Sequence, residues 1–127
     1  MSGIYGIGVD ILRIERVEKA LARHGDRLLT RMLSEAELAE VRQRTHTARA
    51  LAMCFAAKEA FVKALGTGFS GIKWSDAGVV RAANGRPRMI FSDTMQARLE
   101  RDGVGGVHVS LSDDGGLVCA YVVIESR

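Results

Sequence analysis

Phe55-Ala56-Ala57-Lys58-Glu59-Ala60-Phe61-Val62-Lys63-Ala64-Leu65-Gly66 is the strongest helical reading in the chain. Its interior contains no proline or glycine, alanine and leucine favour the helix, and Gly66 supplies a stop. Extended backward, the helix opens at Thr45 or Thr47, either of which can act as a cap. No other segment has this length, so it predicts a dominant central helix around which the other elements pack. Glu59 and Lys63 are four residues apart and share one face. Ala52, Ala56 and Gly66 border them, while Phe55, Val62 and Leu65 point to other sides. An acid and a base among small residues let a ligand approach the backbone closely. The alternative is a weakly stabilising solvated ion pair.

Ahead of this helix, Tyr5 to Leu12 is a short apolar run that reads as a buried strand. Ile14 to His24 carries a helical pattern closed by Gly25, and Asp26 can cap a following helix over Arg27 to Leu33. Ser34 and Glu37 have the spacing of a capping box, which places another helix start there. After Gly68 the texture changes. Asp76 to Ala83 and Arg88 to Phe91 read as strands across the Asn84-Gly85-Arg86-Pro87 turn. Ser92-Asp93 can cap a helix over Thr94 to Arg101, which Gly103, Gly105 and Gly106 break. Val107 to Leu111 and Leu117 to Ile124 supply the last strands. The expectation is one α+β domain spanning residues 1–127, with an antiparallel sheet packed on the central helix.

Composition narrows the function classes. With 47% apolar and 26% charged residues, the chain has the balance of an ordinary globular protein. It has no apolar run of about 20 residues, as a membrane-spanning helix requires. Met1 to Gly8 lacks a basic segment followed by an apolar one, so the expected location is cytoplasmic. Cys54 and Cys119 have no close partner and read as reduced, buried small hydrophobes. The net charge of +3 is too small to indicate nucleic-acid binding by itself.

Four groups of residues carry possible chemistry. Asp10 is an acid inside an apolar strand and needs either a cation or several donors. It is either a cap for the helix that follows or a metal ligand. Lys63 lies one turn before Gly66-Thr67-Gly68, whose backbone N–H groups can face a phosphate, although a glycine stop alone needs no function. On a strand, His108, Ser110 and Ser112 share one face, either as its wet side or as donors to a phosphorylated ligand. On the first helix, Ile14, Val17 and Leu21 form an apolar stripe, with Arg13, Arg16, Arg23 and Lys19 on another side. That basic side is either simply solvated or a dock for an acidic helix.

In this order, the pieces resemble the holo-acyl-carrier-protein synthase family, the small bacterial phosphopantetheinyl transferases. The resemblance is carried by Gly6-Ile7-Gly8-Val9-Asp10-Ile11, Phe55-Ala56-Ala57-Lys58-Glu59-Ala60 and Lys63-Ala64-Leu65-Gly66-Thr67-Gly68. It continues through Arg31-Met32-Leu33-Ser34, Asn84-Gly85-Arg86-Pro87, His108-Val109-Ser110-Leu111-Ser112 and Val122-Val123-Ile124-Glu125. It implies a phosphopantetheinyl transferase-like single domain. The implied reaction moves 4'-phosphopantetheine from coenzyme A to a serine of apo acyl carrier protein, leaving adenosine 3',5'-bisphosphate. Asp10 and Glu59 would hold Mg²⁺, a hard cation suited to carboxylates and phosphate. Lys63 would meet the phosphates, Gly66, Thr67 and Gly68 would lie along coenzyme A, and His108 and Ser110 would contact its nucleotide portion. Arg16, supported by Arg13 and Arg23, would dock the carrier. The serine proton would pass to Glu59 or to a water on the metal, and the sequence does not choose between them. A homotrimer with coenzyme A between neighbouring subunits is implied as well, in fatty acid biosynthesis or polyketide synthesis. The chain departs from the family pattern at Cys54, where an arginine often stands, and at Asp113, where some members have a second histidine. Arg49, one turn before Cys54, is a candidate substitute.

Two other functions remain to be weighed. A non-catalytic module that binds a nucleotide or an acidic protein would keep the basic helix and glycine loop, but has no need of Asp10 and Glu59. An RNA-binding domain would set aromatic side chains on its basic surface, and this chain does not.

Overall fold

The computed structural model describes residues 3–127. In chain order the elements are β1 (Gly3–Arg13), α1 (Ile14–His24), α2 (Asp26–Met32), α3 (Glu35–Arg42) and α4 (Thr47–Leu65), followed by a 3₁₀ turn at Trp74–Asp76. Then come β2 (Ala77–Arg81), β3 (Pro87–Phe91), α5 (Asp93–Arg101), β4 (Val104–Asp114) and β5 (Leu117–Ser126). The strands form two antiparallel sheets, one ordered β1-β5-β4 and the other pairing β2 with β3. The α+β expectation with a central helix is met, except that the sheet is divided in two.

α4 covers the inner face of the three-stranded sheet, and glycines on β1 set the distance between them. A Cβ at Gly8 would lie 2.0 Å from the carbonyl oxygen of Ala60, and one at Gly6 would lie 1.9 Å from that of Ala64. Only hydrogen fits there, so the strand rests directly on the helix backbone. Ala52, Ala56 and Ala60 are completely buried. The alanines at 52 and 56, expected to leave room for a ligand, are therefore core residues. Gly66, the C-cap of α4 with φ 81°, stays exposed.

The Ser34 capping box forms as the sequence predicts, with the Ser34 side chain accepting from Glu37 N–H and Glu37 accepting from Ser34 N–H. Glu37 also performs a task that spacing does not reveal. Its side chain is 0% exposed and meets Lys58, 1% exposed, with Nζ at 2.6 Å from Oε1. Lys58 Nζ further donates to the carbonyls of Trp74 and Ala77, and Val79 N–H donates to Glu37 Oε2 at 3.0 Å. The pair ties α3, α4, the 3₁₀ turn and β2 together. Every polar atom in it has a partner, as a buried ion pair requires.

Three local expectations differ. Asp26 lies inside the first turn of α2 and makes no cap; its carboxylate accepts instead from Arg42. The N-cap of α4 is His46, with no side-chain hydrogen bond, so neither threonine caps it. β4 begins at Val104, and Gly105 and Gly106 form a bulge within it, between the pairs Val104↔Ser126 and Val107↔Ile124, instead of ending the preceding helix. A strand tolerates the extra unpaired residues that such a bulge inserts.

Candidate functional site

Asp10 sits on the side of β1 that faces α4, in phase with Gly6, Gly8 and Leu12, and half-buried at the rim of that contact. The helix brings Glu59 and Lys63 to the same place. Lys63 Nζ donates to Asp10 Oδ1 at 3.1 Å and to the carbonyl of Val9 at 3.0 Å. Burial, and next the negative charge of Asp10, push the Glu59 carboxyl above the usual glutamate range, with Lys63 working in the opposite direction. Two acids far apart in the sequence thus converge closely enough to repel, with one lysine as their shared counter-charge. Asp10 does not cap α1, whose N-cap is Arg13 and has no side-chain hydrogen bond.

This donor set suits a hard divalent cation. Among the described residues, no group of three His, Cys, Asp or Glu side chains could hold a metal alone. The charge of Asp10 makes ionising Glu59 more costly, a penalty that a cation relieves, and the coordination positions left over match an ion bound jointly by protein, phosphate and water. The fit for Mg²⁺ is good.

Gly66, Thr67 and Gly68 are exposed and follow Lys63 by one turn, so the loop borders the same site. His108 and Ser110 do not join it within one chain. His108 registers with Val123 and Ser110 with Tyr121, and these pair in turn with Ile7 and Val9. All these residues face away from α4, on the outer side of the sheet, because side chains alternate along strands. His108 lines a cleft there with Arg86, Pro87 and Arg88, the turn singled out in the sequence. The rest of the outer side is apolar and uncovered: Ile7 is 58% exposed, Ile11 65% and Tyr121 43%.

Arg13, Arg16 and Arg23 are exposed on or beside α1. Arg16 stands at the edge of an apolar groove lined by Leu12, Val17, Ala20, Leu28, Met32 and Phe55. Beyond the groove, α2 adds Arg27 and Arg31, which border a second hollow with His24 and Leu28. The sequence reading missed this pair, although their spacing of four along a helix places them on one side.

The departures at Cys54 and Asp113 lie in different surroundings, one in the core and one on the surface. Cys54 is buried, and burial together with the charge of Glu37 holds its thiol far above the ordinary range, so it is an inert core group. Asp113 accepts both Nε and a terminal nitrogen of Arg49, at 2.8 and 2.7 Å. This fork joins α4 to β4 beside a cleft that also holds Arg44, His46 and Arg81. Arg49, the candidate substitute, is therefore paired with Asp113.

A model of the 4'-phosphopantetheinyl transferase superfamily matches residues 6–122. A holo-[acyl-carrier-protein] synthase from Alkalilimnicola ehrlichii is 45% identical over 125 residues, covering 97% of this chain and 98% of its own. The chain belongs to this family. Solved members share the fold. The synthase of Neisseria meningitidis superposes with a TM-score of 0.92 at 36% identity, covering 96% of this chain and 98% of that one. One from Bacillus anthracis, solved in complex with coenzyme A (3',5'-ADP), gives a TM-score of 0.80 at 33% identity over 98% of both chains. As a holo-acyl-carrier-protein synthase family member the chain is an enzyme, a phosphopantetheinyl transferase. No described helix is long and apolar enough to cross a membrane.

Proposed function

We propose that the protein transfers 4'-phosphopantetheine from coenzyme A to a serine of apo acyl carrier protein in a Mg²⁺-dependent reaction that releases adenosine 3',5'-bisphosphate. The observation that carries this reading is the convergence of Asp10, Glu59 and Lys63 beside an exposed glycine loop. In the reaction, the serine oxygen bonds to the phosphorus next to pantetheine while the bond from that phosphorus to the bridging oxygen breaks. The nucleotide leaves with both its phosphates. Charge builds up on phosphate oxygens, so positioning and electrostatics dominate the catalysis. Mg²⁺ held by Asp10 and Glu59 would neutralise that charge.

The remaining work falls to side chains of this chain. Lys63, already held at Asp10, swings its ammonium to the phosphates as a mobile point charge. Gly66, Thr67 and Gly68 present backbone N–H groups along the substrate, since no side chain at either glycine obstructs it. The serine proton would pass to Glu59 or to a water at the site. His108 and Ser110 contact the nucleotide portion. Because they lie across the sheet from Asp10, they do so from a neighbouring copy. The uncovered apolar face beside them supports a homotrimer with coenzyme A held between subunits. Arg16, with Arg13 and Arg23, docks the acidic helix of the carrier, and Arg27 and Arg31 widen that basic surface.

The test is to incubate the protein with apo acyl carrier protein, coenzyme A and Mg²⁺ and weigh the carrier. The expected result is a phosphopantetheine mass gain that EDTA abolishes and that Asp10→Ala or Glu59→Ala slows by about a hundredfold or more. No gain with several carriers would favour a binding module instead.

A further inference from the structure

We infer that Glu125 is a positioning residue for His108, holding the imidazole so that its free ring nitrogen meets the nucleotide portion of coenzyme A. This rests on the assignment of His108 to coenzyme A made above. His108 Nε2 lies 2.5 Å from Glu125 Oε1. An ionised carboxylate can only accept, so Nε2 carries the hydrogen and donates it. Nδ1, the other ring nitrogen, is left for a ligand.

Half-exposed pairs on a surface ordinarily contribute little. The backbone around this one has a specific shape. His108 stands two residues after Gly106, in the β4 bulge, and registers with Val123, two residues before Glu125. A Cβ on Gly106 would come within 2.8 Å of Glu125 Oε1 and 3.1 Å of His108 Nε2. The bulge therefore leaves a slot that the pair fills, and a side chain at position 106 would push it apart. His108 also lines a cleft with Arg86, Pro87 and Arg88, where a ligand can meet the ring. An imidazole that spins freely must be ordered when a ligand arrives. One already tethered by Glu125 binds with that cost removed.

The test combines steady-state kinetics of His108→Ala, Glu125→Ala, Glu125→Gln and the double alanine variant with ¹⁵N spectra of the histidine ring. Without coenzyme A, the wild-type ring should show a single Nε2–H form and Glu125→Ala a mixture. Glu125→Ala should raise the KM for coenzyme A about fivefold, the worth of one ordinary hydrogen bond. The KM for carrier should stay unchanged. Glu125→Gln, whose amide oxygen still accepts, should restore most of the affinity. In the His108→Ala background the Glu125 change should add nothing. An unchanged ring spectrum in Glu125→Ala, or strictly additive effects, overturns the positioning role. A KM for coenzyme A unmoved by His108→Ala overturns the assignment of His108 itself, and the ring spectrum then still reports separately whether Glu125 orients it.

Discussion

Lys63 reaches Asp10 while Glu59 stands beside them half-buried, with its carboxyl pushed up by burial and by Asp10. That arrangement costs stability. A carboxyl whose folded value lies above its unfolded value of about 4.3 makes folding less favourable as pH rises through that window, because the folded state resists losing the proton. Above it the penalty is fully present. Glu59→Gln removes the ionisable group, so we expect it to be at least as heat-stable as wild type at pH 7 while losing transfer activity. Its advantage should shrink as pH falls toward 4, which thermal melts across that range can measure. A lower melting temperature at pH 7 would mean that Glu59 is held by favourable contacts. Stability given up at a functional site is a common trade.

Among the elements, α4 has two chemically distinct ends of one short motif. Lys58 points into the core and Glu59 to the site, one residue on and about 100° around the helix. Lys58→Met leaves Glu37 buried without its cation. The expected loss is about 3–5 kcal/mol, readable as a shifted midpoint in urea, and a comparable fraction of what a domain this size has to spare. A shift below about 1 kcal/mol would show that Glu37 is satisfied by Ser34 and Val79 alone. α1 presents a divided case, with Val17 buried in the core and Arg16 exposed at the surface. Arg16→Glu should raise the KM for carrier at least about tenfold, the effect of setting like charge against an acidic helix, and leave the KM for coenzyme A nearly unchanged. If both constants rose together, α1 would not be the docking face. Salt should weaken wild-type carrier binding in the same sense.

For the whole molecule, the sheet divides the candidate residues between its two sides. Asp10, Glu59 and Lys63 lie toward α4, and His108 and Ser110 lie on the outer apolar side. If neighbouring copies complete each site, an Asp10→Ala chain and a His108→Ala/Ser110→Ala chain can rescue one another. Mixed by co-expression in equal amounts, they should regain about a quarter of the wild-type sites, since each site then needs two independent intact halves. Activity no greater than that of the separate variants would place every functional group within one chain. Light scattering on the same samples reports whether the assembly is trimeric.

Much of this protein follows from local rules that act between near neighbours. The helix that ends at Gly66, the Ser34–Glu37 box, the Asn84-Gly85 turn and the placing of Glu59 and Lys63 on one face all follow from spacing and propensity. The family motifs, present in order, carried the assignment of Asp10 and of the basic face of α1. Contacts between distant segments could not be read in that way. Nothing local distinguishes Lys58, which is buried against Glu37, from Lys63, which is exposed at Asp10, and the alanines at 52 and 56 read as open when they are core. The fork between Arg49 and Asp113 and the pair formed by His108 and Glu125 join residues 64 and 17 positions apart. Such pairs form only when packing and sheet register bring their backbones together, and that is a property of the folded chain, not of any window within it.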